Sequence, residues 1–192
     1  QLMPVELSVA HTLDRAVATL SELERRQVPF ATARALTSVA FAARDEVRKE
    51  LPGRFTIRRP WVARGITAEP AKKSKPAARV FSRDAFMAAQ ETGGLKPDAR
   101  PIPAGRLAAV HKTRVVPRSQ WVAPLLRRKN VFYRAGSVFE RNGDRIEALY
   151  RLRRQVSVVP RFGFAATVER VVAEGFAASF ALALGRAMDT AR

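Results

Sequence analysis

The sequence predicts an α+β fold: N-terminal helices and a long C-terminal helix packed on an antiparallel sheet, with an extended basic β-hairpin. Three observations predict it. Apolar residues recur at helical spacing over 30–51 and again over 164–190. Apolar and charged residues alternate over 131–159 around Asn142-Gly143-Asp144, a hairpin signal because Asn-Gly accepts positive φ at little cost. Two short strand-like runs, 66–69 and 78–81, flank a lysine- and proline-rich segment. The length of 192 residues suits one domain over 1–192. Within it, 54–83 reads as a basic hairpin excursion and 162–192 as the closing helix.

The elements follow in chain order. Val5, Leu7 and Val9 alternate, reading as a short strand or an extension of the next helix. Leu13, Val17, Leu20 and Leu23 predict a helix over 12–27, broken at Val28-Pro29. Pro29 then sits where a second helix would start, since its missing N–H is not needed there. That helix, 30–51, presents Leu36, Val39, Ala40, Ala43, Val47 and Leu51, with Asp45 and Lys49 as an i,i+4 pair. Leu51-Pro52-Gly53 is expected to stop it. A short helical turn is expected at Arg58-Arg59-Pro60-Trp61, and a short helix at 84–91. A proline-rich loop to about 105 comes next, and a helical turn near Trp121. On the strand after Asn142-Gly143, Ile146, Ala148, Tyr150 and Leu152 form the apolar face, and Arg145, Glu147, Leu149, Arg151 and Arg153 the other.

In the last helix Phe164, Val168, Val172, Phe176, Phe180, Leu184 and Met188 are spaced by four. Each step over-rotates by roughly 40° in a 3.6-residue helix. The stripe therefore winds around the axis, and the helix is expected to be covered on different sides along its length or to bend near Gly175. A subunit interface would cover it as naturally as a core.

The net charge of +18 is unevenly placed. The excess falls in 54–83 and 111–161, while both ends are balanced. There are no cysteines, which excludes a disulfide framework, a thiolate zinc site and a cysteine nucleophile. No nucleotide-binding, metalloprotease or nucleophile-elbow motif is present. His11 and His111 read as surface or packing residues, and no carboxylate spacing calls for acid–base catalysis. The chain therefore reads as a non-enzyme with no metal and no cofactor. The longest apolar run, Phe176–Leu184, is too short for a bilayer, so no membrane association is expected. No signal-peptide pattern is read, and Gln1 with Met3 leaves room for a start upstream. Trp61 and Trp121 read as core fillers or interface anchors. The basic segments with interleaved Trp61, Trp121, Phe132 and Tyr133 suit phosphate contact, but they match no specific nucleic-acid module.

Two stretches carry a resemblance. ALTSVAFAARDEVRKELPGRFTIRRPWVARGI is a helix running into a basic break and an Arg/Trp turn. ALYRLRRQVSVVPRFGFAATVERVVAEGFAASFALAL is a basic strand, a Val-Pro-Arg-Phe junction and a long helix. Together they resemble the tail-completion proteins of long-tailed bacteriophages, the minor tail protein Z family of lambda-like phages. The likeness is weakest at 84–128. It implies a virion structural subunit at the head-proximal end of the tail, present in host cytoplasm during assembly. It implies a homo-oligomeric ring around the DNA path, with a hexamer preferred to a dodecamer. The implied partners are a tail terminator or tail tube protein, a head-completion or connector protein, and double-stranded DNA in the lumen. On this reading Arg58, Arg59, Arg64, Lys72, Lys73, Lys75, Arg79, Arg145, Arg151, Arg153 and Arg154 form the surface facing DNA or partner. Trp61, Phe164, Val168, Val172, Phe176, Phe180 and Leu184 are expected to pack subunits. The alternative is a sequence-independent nucleic-acid-binding protein.

Overall fold

The computed structural model describes residues 4–8, 22–97 and 100–190. They group into two compact units, where the sequence reads as one domain. The fold is α+β, with antiparallel sheets and a long C-terminal helix.

The first unit is formed by 1–55, 59–91 and 160–192. Strand β1 (Pro4–Ser8) precedes helix α1 (Glu22–Arg54). Most of the helix expected over 12–27 lies outside the described residues, and its end, 22–27, belongs to α1. The break expected at Val28-Pro29 and the stop at Pro52 do not occur, because α1 contains both prolines. A proline removes one backbone hydrogen bond. Here that loss is small against the burial of Val28, Ala31, Thr32, Ala35 and Leu36 around it. At the other end Pro52 lies in the last turn, and Phe55 N–H still donates to Leu51 O at 2.9 Å. The apolar stripe is fully buried: Leu36, Val39, Ala40, Ala43, Val47 and Leu51 are all inside. The Asp45–Lys49 pair is not made. Asp45 bonds Arg44, whose hydrogen bond holds its carboxyl below the usual range, and Lys49 turns to Glu46.

Helix α2 (Trp61–Gly65) leads into β2 (Ile66–Glu69), which pairs antiparallel with β3 (Ala77–Ser82). Strand β3 is central in the order β1-β3-β2. Ala78, Val80 and Ser82 alternate inward along it, and α1 packs on this sheet. The hairpin is thus part of the core at its base, and only its tip projects. After α3 (Phe86–Thr92), the chain returns to this unit with α6 (Phe164–Asp189), which runs antiparallel along α1.

The four-residue stripe on α6 drifts as its geometry requires. Phe164 and Val168 are buried at the start, but at the end Ala183 and Ala187 are buried while Leu184 and Met188 are only half-buried. Gly175 faces α1, where an added Cβ would lie 3.5 Å from Val39 Cγ1. Phe162, buried, packs between Phe55 and Phe164. Glu91 accepts from the backbone N–H groups of Phe164 (2.8 Å) and Ala165 (3.1 Å), capping α6 with a negative charge at its positive end.

The second unit is formed by 56–58 and 92–159. The expected proline-rich loop holds two short strands, β4 (Gly94–Pro97) and β5 (Ile102–Pro103). Then come α4 (Gly105–Val110), a 3₁₀ turn at Arg118–Gln120, and α5 (Val122–Leu126). Strands β6 (Val131–Arg134), β7 (Ser137–Asn142) and β8 (Arg145–Arg151) form a meander, joined by β5 in the order β5-β8-β7-β6. Strand β9 (Gln155–Val158) pairs with β4. The core is Leu107, Leu125, Val131, Val138, Leu149 and Tyr150.

Candidate functional site

The hairpin tip belongs to the first unit. Lys72 and Lys75 exchange backbone hydrogen bonds of 3.0 Å, closing a tight turn that leaves Lys72, Lys73 and Lys75 exposed. Its base is latched to α1, where Thr37 Oγ1 accepts from Ala71 N–H at 3.1 Å. No carboxylate among the described residues pairs with the three lysines. Arg79, in contrast, is held by Glu69 at 3.5 Å and lies over the Phe81 ring. Arg59 and Arg64 are exposed. Trp61 is 47% exposed and meets Phe86 edge-on at 5.8 Å, so it is not a core filler. Arg58 falls in the second unit and donates to Lys112 O. The hairpin tip and Arg145, Arg151, Arg153 and Arg154 therefore lie in different units.

The second unit holds sixteen Lys and Arg residues against four Asp and Glu. Its β-meander sorts them by face. A bulge between Val138 and Phe139 opposes Val138 to Tyr150 and Phe139 to Ala148, leaving Leu149 as the extra residue. Leu149 and Tyr150 are consequently both buried, and Ile146 is 54% exposed. The expected assignment of Ile146 to the core face and Leu149 to the outer face is reversed, because one extra residue inverts the alternation.

The outer face can be read row by row from the register. Arg134 and Arg151 flank Ser137, then Phe132 and Ala148 flank Phe139, then Arg141 pairs with Ile146. Phe132 and Phe139 stack at 5.7 Å and 24°, with the Arg141 guanidinium 5.9 Å from the Phe132 ring centre. The sequence reading named Phe132 but not Phe139, Arg134 or Arg141. The missed signal was the two-residue turn Ala135-Gly136, both at positive φ (45° and 71°), which forces 132 opposite 139. Arg145 lies at the end of the β7–β8 turn and Arg151 on the outer face. Arg153 and Arg154 are exposed in the link to β9.

Glu140 and Glu147 are spent on the inner side of this unit. Glu140 is buried, with a side chain 6% exposed, and is paired by Arg106 and, at 4.0 Å, Arg128. Asn130 Nδ2 also donates to it, at 3.4 Å. Glu147 receives the Arg106 backbone N–H (2.7 Å) and the Arg106 guanidinium (3.2 Å). Among the described acids of this unit, that leaves Asp144, in the turn.

No protein-family model, curated protein or solved structure matches the chain.

Of the residues expected to pack subunits, Phe164 and Val168 are core residues of the first unit itself. Val172, Phe176, Phe180 and Leu184 are half-buried, with Phe176 and Phe180 stacked at 6.1 Å. Helix α6 has the length and mean hydropathy (1.4) of a membrane span, with 11% of that stretch buried. Its uncharged part runs only from Gly175 to Gly185, about 16 Å at 1.5 Å per residue. A bilayer core is about 30 Å thick. Nearer the start, Arg170 reaches Glu50 at 3.0 Å, and Thr167 Oγ1 donates to Glu50 at 2.7 Å. The Thr167 hydrogen bond, then Arg54 and Arg170, hold the Glu50 carboxyl below its usual range.

Among the described residues no group of three His, Cys, Asp or Glu is placed to hold a metal. His11 lies outside the described residues. His111 Nε2 meets Gln120 Oε1 at 2.7 Å, beside a cavity of about 130 Å³ lined also by Arg106, Leu107 and Leu125. Trp121 is 51% exposed and pins the preceding loop through Nε1–H to Val116 O at 3.2 Å. Asp84 has its carboxyl pushed above the usual range by burial over Gly65.

Proposed function

We propose that the protein is a structural subunit of a long-tailed phage virion, a tail-completion or neck protein that meets DNA or an acidic partner through its cations. The observation that carries this reading is the separation of charge. The second unit holds most of the positive excess with Glu140 and Glu147 drawn to Arg106, and the hairpin tip of the first unit presents three lysines with no carboxylate partner among the described residues. Such surfaces attract polyanions. The helix–β–helix order supports the resemblance. Within the uncharged stretch Gly175–Gly185 the exposed residues Ala177, Ala178, Ala181, Leu182 and Gly185 suit contact with a neighbouring subunit in a homo-oligomeric ring.

Replacing Lys72, Lys73 and Lys75 together by serine tests the tip. The turn is closed by backbone bonds, so the fold is expected to survive. Infective particle yield is expected to fall at least about tenfold, the factor set by losing some 1.4 kcal/mol. An unchanged yield would remove the tip from the functional surface.

A second reading, sequence-independent nucleic-acid binding by the free protein, is favoured by one specific feature: the Phe132–Phe139 pair among arginines. A steep fall of duplex affinity with salt for the isolated chain would support it.

A further inference from the structure

We propose that the outer face of the β6–β7–β8 meander binds single-stranded nucleic acid, with bases stacking on Phe132 and Phe139 and phosphates held by Arg134, Arg141 and Arg151. The inference rests on the reading of the cations as nucleic-acid-facing and goes further by naming the site and the strand form.

Three features of the face converge on this ligand. The first is charge. Arg134 and Arg151 lie on the two strands flanking β7, in one row across the small Ser137, and neither pairs with a described carboxylate. Neighbouring strands are about 4.8 Å apart, so the two guanidinium groups emerge from backbones roughly 10 Å apart. Like charges in one row repel. An anion between them removes that cost, and with Glu140 and Glu147 bound to Arg106 on the inner side the described residues supply none there.

The second feature is the aromatic pair. Phe132 and Phe139 sit one row further along, on the same face, stacked on each other and only half-buried. Two phenylalanines on an outer sheet face, next to an exposed Ile146, cost water contact that a stacked base would relieve. The third is shape. Beside Phe132 a groove of about 570 Å³ opens, lined by Lys129, Asn130, Phe132, Arg141 and Gly143. That is room for a nucleotide, with an aromatic wall, an amide for base edges and two cations for phosphate.

The aromatic component decides between strand forms. In a duplex the base faces are stacked on one another and closed to a sheet, so a duplex would use the arginines and leave the rings idle. In a single strand the base faces are free. Stacking is tolerant of sequence because every base has a π-face.

The experiment is fluorescence anisotropy on the full chain with a labelled oligothymidylate and a duplex of equal length, at matched salt. The single strand is expected to bind more tightly. Phe132→Leu keeps apolar packing and removes the stacking ring. It is expected to weaken oligothymidylate binding by about 5- to 150-fold, the range for one stacked base, with duplex binding unchanged and the thermal midpoint lowered by a few degrees at most through the lost ring pair. Arg141→Gln is expected to lower the slope of log affinity against log salt by about 0.7 for the single strand. Equal affinity of Phe132→Leu and the wild type for oligothymidylate overturns the site, and so does tighter binding of the duplex. Steep, salt-dependent duplex binding in that case leaves the polyanion reading standing. Competition by poly-glutamate at equal charge concentration, to the same extent as by oligothymidylate, also overturns the proposal.

Discussion

Gly163→Val is expected to destabilise the first unit by about 3 kcal/mol. Gly163 has φ 58° and ψ 34°, immediately before α6. A side chain in that region costs roughly 1–2 kcal/mol, and a β-branched one at the upper end. Space adds to the cost, since a Cβ there would lie 2.7 Å from Arg54 Nη1. Arg54 has no room to yield freely. It donates to Phe162 O, to the Glu50 carboxylate and, at 3.2 Å, to Thr167 Oγ1, tying the end of α1 to the start of α6. Displacing it forfeits charged hydrogen bonds, each worth about 1.5–3 kcal/mol before solvent exposure is discounted. Gly175→Ala is the contrast. Its Cβ would meet Val39 at ordinary contact distance, and alanine is the better helix former by roughly 1 kcal/mol, so it should be neutral or stabilising. Urea unfolding checks both. In a Trp121→Phe background the remaining Trp61 reports the first unit alone. A Gly163→Val midpoint equal to that of its parent would contradict the account of this junction.

Arg106→Ala is the second large effect, a loss of about 2–3 kcal/mol from the second unit. Glu140 is buried and Arg106 is its closest cation. Removing the arginine leaves a buried carboxylate with the side-chain amides of Asn130 and, at 3.5 Å, Asn142 and with the distant Arg128, and stranding such a charge typically costs about 3–5 kcal/mol. The value is set lower here because those partners remain. The double change Arg106→Ala with Glu140→Leu should recover most of the loss, since no charge is then buried unpaired. Unfolding followed by Trp121 in a Trp61→Phe background measures each. A double variant as unstable as Arg106→Ala alone would show that the pair does not act as described.

The helical parts of the fold were legible where a stripe is buried on one side. Leu36 to Leu51 on α1 faces inward residue for residue, because a 3.6 period has few other uses. The winding of the α6 stripe was legible too, and it explains the burial of Ala183 and Ala187. What was not legible depended on distant packing. Pro29 and Pro52 are local stop signals, yet α1 runs through them because burial on the sheet and on α6 outweighs one lost hydrogen bond at each. In the meander the alternation of β8 was visible, but one bulged residue, Leu149, reversed it beyond that point. The candidate site was half visible. The cations could be counted in the sequence, but their sorting by face could not, since it follows from the Ala135-Gly136 turn and from Arg106 drawing both glutamates inward. Phe139 was missed for the same reason: its partner is set by register, not by neighbours in sequence.

The function proposed for the protein is that of a virion structural subunit at the head-proximal end of a phage tail. Gold-labelled antibody electron microscopy on purified phage particles, from a culture in which the protein is produced, tests this most directly. Label concentrated at the head–tail junction is the result the account predicts. Intact particles without label, even after the junction is opened, would contradict it.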